Sequence, residues 1–122
     1  MVAQLSDSIL KTIRQMINGN ADDTTFDTDL IVFINGALMI QNQLGVGPSG
    51  YYITGDSNTW GEFLGDRDDL ELVKTAVYIR VRLAFDPPTN SFVLDALTEQ
   101  RKEAEWYIEL NHNVTPLEVI TP

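Results

Sequence analysis

Residues 86–110 read DPPTNSFVLDALTEQRKEAEWYIEL, and this stretch decides the fold class. Pro87 and Pro88 lack a backbone donor and hold the residues before them extended, so a helix arriving from upstream must end near Phe85 or Asp86. Thr89, Asn90 and Ser91 then offer side-chain oxygens to the free amides of a new helix. From there Val93, Leu97, Gln100, Ala104 and Ile108 share one face at three- and four-residue steps, widened by Phe92, Ala96 and Leu110. Asp95, Glu99, Arg101, Lys102, Glu103, Glu105 and Glu109 occupy the other face. The spacing predicts a helix of about six turns with one wet side.

Working outward, the same signals recur upstream. Ser6 or Asp7 is placed to cap a first helix striped by Ile9, Leu10, Ile13, Met16 and Ile17, and Gly19 is its natural stop. After a polar turn at residues 22–25, Asp27 or Thr28 is placed to cap a second helix. Its Leu30, Phe33, Ile34, Ala37, Leu38 and Gln41 keep helical spacing as far as Gly45. Gly36 weakens this helix by about 1 kcal/mol relative to Ala unless it lets a neighbour come close. Asp66, Asp68 or Asp69 opens a third, where acidic residues suit the positive end of the helix dipole. Leu70, Val73, Ala76, Val77, Leu83 and Ala84 form its stripe, and Ile79 and Val81 make it apolar nearly all round, which places it at the centre of a bundle.

Between the second and third helices, residues 45–65 hold six glycines and one proline, a composition that favours turns or a short hairpin. The same segment carries Tyr51, Tyr52, Ile53, Trp60, Phe63 and Leu64, an apolar content that requires burial either in the core or against a neighbouring subunit. Tyr51, Tyr52, Trp60 and Phe63 are accordingly candidate interface residues, with Trp60 and Phe63 as the expected anchors. Arg80 and Arg82 stand in the apolar third helix and are expected to snorkel to solvent or to pair with a carboxylate, of their own subunit or of a neighbour. Past His112 the chain loses helical period, and Val114, Leu117, Val119 and Ile120 alternate with polar residues as an extended partner-docking segment would. The expectation is therefore an all-α protein. Residues 1–112 form a small bundle of about four principal helices with a glycine-rich aromatic loop, and residues 113–122 form an extended or disordered tail.

Composition bounds the function. A chain of 122 residues, 43% hydrophobic and 21% charged, is sized and composed for one folded domain. Absence of cysteine removes disulfides and thiolate chemistry. The opening residues lack a basic segment ahead of an apolar core, and no apolar run approaches a membrane span, so neither a secretory signal nor membrane association is expected. Against 18 acidic side chains stand 8 basic ones, a formal charge of −10 that opposes gripping phosphate backbones or anionic lipid. Such a balance chiefly serves solubility, and it also suits a wall past which DNA slides without sticking.

Read together, the opening helix, FDTDLIVFINGALMIQNQLG, the loop with Trp60 and Phe63, DDLELVKTAVYIRVRLAFDPP and the last helix ending at Trp106 resemble the head-to-tail connector, or adaptor, proteins of long-tailed bacteriophages. The resemblance implies a virion structural protein made in the bacterial host cytoplasm and placed at the head-to-tail interface. It implies a ring of identical subunits, twelve in the family, below the portal protein, joined to a stopper or other tail-proximal protein and lining a channel through which DNA passes without specific binding. It implies no enzymatic activity and no cofactor.

A search for chemistry in the residues themselves agrees. One histidine, His112, cannot build a triad or a multi-histidine metal site. Residues 18–29 depart from a calcium loop, with Asp23 where glycine is needed and Asp29 in place of the bidentate glutamate. Asp66, Asp68, Asp69 and Glu71 are explained by a helix start. Two other classes stay open: an acidic DNA-mimicking protein that inhibits a nucleic-acid enzyme, and a small metal-dependent hydrolase built on that aspartate cluster.

Overall fold

In the computed structural model, which describes residues 2–113, the elements run α1 (Ile9–Asn18), α2 (Asp27–Gln43), α3 (Trp60–Leu64), α4 (Leu70–Phe85) and α5 (Ser91–Asn113). The fold is a small all-α bundle with four principal helices. The apolar α4 lies at its centre, packed against both α2 and α5, with α1 against both α2 and α4. Asn111 bonds Asp69 while Glu105 bonds Arg80, so α5 runs antiparallel to α4. Continued along that pairing, the first turn of α5 lies beyond the end of α4.

Local chemistry sets the boundaries. Ser8, rather than Ser6 or Asp7, caps α1 by accepting from the Lys11 amide. Residues 5–8 are engaged elsewhere: Ser8 bridges Thr59 antiparallel, and the Trp60 and Gly61 amides donate to the carbonyls of Asp7 and Leu5 at 3.1 and 2.8 Å. Gly19 closes α1 in the left-handed conformation at φ 73°. Neither Asp27 nor Thr28 caps α2: the helix begins at Asp27, whose carboxylate is taken by Arg14, and Phe26 at the capping position has no polar side-chain atom to offer. Asp69 sits before α4, but its carboxylate turns to Arg67 and Asn111 instead of capping. Asn90 caps α5, accepting from the Phe92 amide at 2.8 Å.

The long connection between α2 and α4 is no hairpin. It contains the one-turn α3, started by Thr59, whose hydroxyl accepts from Glu62. Two asparagines of α2 hold the rest. Asn35 makes a two-bond clamp on Ile53, donating to its carbonyl at 3.0 Å and accepting from its amide at 2.7 Å. Asn42 donates to the carbonyls of Val46, Gly47 and Pro48. Gly47 has φ 76°, and a Cβ there would lie 2.5 Å from the Phe63 ring, so only glycine fits. With the loop tied down, Val46, Ile53, Trp60, Phe63 and Leu64 join the core formed by Ile9, Ile13, Leu30, Ile34, Val73, Val77 and Ile108.

Candidate functional site

The candidate interface residues are distributed over the bundle, in the loop before α3, in α3 and in α4. Trp60 and Phe63, expected to anchor a neighbouring subunit, are both fully buried in this subunit's own core. The Trp60 indole donates to Thr12 Oγ1 at 3.0 Å, and the Thr12 hydroxyl donates to the Ser8 carbonyl at 2.7 Å, so its one polar atom is satisfied internally. Their burial corrects the expectation: an anchor needs exposed surface before it meets a partner, and the bonds from the Trp60 and Gly61 amides to Asp7 and Leu5 and from the Trp60 indole to Thr12 hold this turn against the start of α1. Tyr51 is half-buried, tilted against Phe63 at 5.2 Å, and its hydroxyl donates to Glu62 at 3.0 Å. Burial, helped by the Glu62 carboxylate, pushes its phenol up to about 12. Tyr52, next to it, is 64% exposed.

Arg80 is occupied within the subunit. It grips Glu105 with two bonds, of 2.6 and 2.8 Å, while Arg101 and Gln41 reach the same carboxylate at 2.8 Å each. Glu105 is buried, and burial alone would raise its pKa. The bonds from Arg80 and Gln41 and the charges of Arg80 and Arg101 outweigh that effect and hold it below the usual carboxylate value. Arg82 lies partly buried along α4, donating to the Tyr78 hydroxyl and to the Asp86 carbonyl. The tail positions Val114, Leu117, Val119 and Ile120 lie outside the described residues.

The acidic clusters are divided among separate partners. Asp69 is held by Arg67 and Asn111, and Glu71 by Lys74 and the Ala3 amide. In the turn after α1, Asn20 and Asp23 accept from amides two residues on, and Asp27 forms a two-bond pair with buried Arg14. Among the described residues, no group of three or more histidine, cysteine, aspartate or glutamate side chains is arranged to hold a metal ion. Nor is any helix among them long and apolar enough to cross a membrane.

What the helical period alone did not reveal is where apolar surface stays open. Val93, placed by its spacing on the buried stripe of α5, is 42% exposed, with Phe92 at 85% beside it. Residues 91–96 are all exposed because α4 has already ended. On α2, Val32 and Met39 point outward beside exposed Gly36. A signal for this second surface was present in the sequence: residues 30–55 contain no charged side chain, in a chain of net charge −10.

Fold and surface together define a small helical protein whose prominent features are open apolar faces and internally paired charges. A family model described as phage connector protein matches residues 9–115, and the chain belongs to that family. Its role is that of a structural connector of the phage virion. Neither a curated protein nor a solved structure matches it.

Proposed function

We propose that this chain forms a homo-oligomeric ring beneath the portal protein, joins the DNA-filled head to a stopper or other tail-proximal protein, and lines the channel through which DNA moves. Membership of the connector family over residues 9–115 carries the reading. Two physical features support it. The charge of −10 keeps passing phosphates from adhering to the wall. The exposed apolar surfaces of α2 and α5 lie on different elements, as head-to-tail closure requires of a ring subunit, whereas a two-fold dimer would need one self-complementary patch. Residues 114–122 serve as the docking segment for a partner. Their alternation suits an extended segment laid on another protein.

Electron microscopy and native mass spectrometry of the chain mixed with its portal test the reading. Ring-shaped assemblies of fixed stoichiometry on the portal are expected. Removal of residues 114–122 is expected to leave the melting temperature unchanged and to weaken portal binding. A chain that neither binds the portal nor assembles on it would exclude the proposal.

A further inference from the structure

The uncharged run at residues 30–55 is folded onto one side of α2, where it makes a socket. Asn35, Met39 and Asn42 of the helix face Gly50, Tyr51 and Tyr52 of the clamped loop across an apolar pocket of about 150 Å³. An apolar cavity of about that volume accepts a benzene ring. Met39 and Tyr52 at its rim are each 64% exposed, and no charged side chain lines it. A second uncharged run, residues 87–94, includes the start of α5 and presents Phe92 at 85% exposure, with Val93 and Leu94 behind it.

We propose that Phe92 of one copy seats in the pocket between Met39 and Tyr52 of the next copy, forming the contact between neighbouring subunits; the inference rests on the ring reading above. Charge selects the occupant. A basic partner would be drawn to the carboxylates that cover the rest of the chain, whereas a second copy carries the same −10 and meets like-charge repulsion wherever acidic faces come together. Neither of these two surfaces carries a charged side chain of its own, so that opposition is weakest where they meet. Size agrees as well, since the protruding group is a single phenyl ring and the socket holds about one. Knob and socket are different surfaces, so each copy uses both, and the contact propagates head to tail until it closes.

The absence of cysteine makes a direct test available. Met39→Cys and Phe92→Cys combined in one chain, incubated with portal and treated with a short bis-maleimide, are expected to give a ladder of covalent multimers, while either substitution alone gives none. Met39→Glu and Phe92→Glu, both at exposed positions, are each expected to weaken assembly at least tenfold with an unchanged melting temperature. Met39→Glu together with Phe92→Lys should recover part of that loss. Dimers from Met39→Cys alone would mean a self-complementary contact and overturn the proposal. Normal rings from the glutamate variants would overturn this contact and leave the ring reading standing. A wild-type chain that forms no ring on its portal would overturn both.

Discussion

Replacing Glu105 with alanine removes one side chain and strands three others, Gln41, Arg80 and Arg101. Gln41 is fully buried, and its Oε1 already lacks a partner, so losing the Nε2 bond leaves the whole amide unsatisfied at a cost of about 1–3 kcal/mol. The arginine side chains are 29% and 19% exposed and can swing toward water, which limits their joint contribution to about 1 kcal/mol. Relief of the buried carboxylate's desolvation offsets part of this. The sum is about 2–3 kcal/mol, a large share of the roughly 5–15 kcal/mol that holds a domain together. With a urea slope of about 1.5 kcal/mol/M, the unfolding midpoint falls by about 1.3–2 M. Glu105→Gln, which keeps the shape, should lose less. The pH dependence has a definite sign. Because folding lowers the Glu105 pKa, the unfolded chain binds the proton more readily; the carboxylate's contribution is complete above the ordinary value near about 4.3 and vanishes as pH falls through the folded value. The gap between wild type and Glu105→Gln should therefore narrow below about pH 4. Urea titrations at pH 7 and pH 3.5 provide the measurement. Equal midpoints for wild type and Glu105→Ala at pH 7 would refute the reasoning and free Arg80 for a neighbour's carboxylate.

Trp60→Ala with Phe63→Ala should abolish folding itself, since each truncation of a fully buried aromatic costs about 3–5 kcal/mol; helical circular dichroism that survives the double change would return these rings to the surface. Gly47→Ala should lower stability by about 3 kcal/mol, combining a left-handed backbone with a Cβ pressed on Phe63, and a thermal melt within 2 °C (roughly 0.5 kcal/mol) of wild type would contradict it. Gly36→Ala should do the opposite, raising the melting temperature by roughly 2–8 °C, because the added methyl meets nothing within 4 Å and gains about 1 kcal/mol of helix propensity.

The course of the chain was legible in short-range signals. Pro87 and Pro88 separate α4 from α5, Gly19 ends α1, Asn90 starts α5, and the stripes of Leu30, Ile34 and Leu38 or Val73 and Val77 mark buried faces. Such signals are local because caps, proline stops and helical period act within one or two turns. Net charge, a sum over residues, needed no structure at all. What period cannot report is whether another element lies over a face. Val93 and Ile108 share one stripe of α5, yet Ile108 is fully buried under α4 and Val93 lies past its end. The aromatic loop posed the same question: Asn35 and Asn42 tie down residues 46–48 and 53, bonds from Trp60 and Gly61 to Thr12, Asp7 and Leu5 fix the turn at the start of α3, and Trp60 and Phe63 end up buried while Tyr52 stays outside. Arg80 found a carboxylate of its own subunit 25 residues along the chain. Each of these outcomes depends on which distant groups come within hydrogen-bonding or packing distance, a quantity set by the tertiary arrangement of the helices and absent from any local window of the sequence.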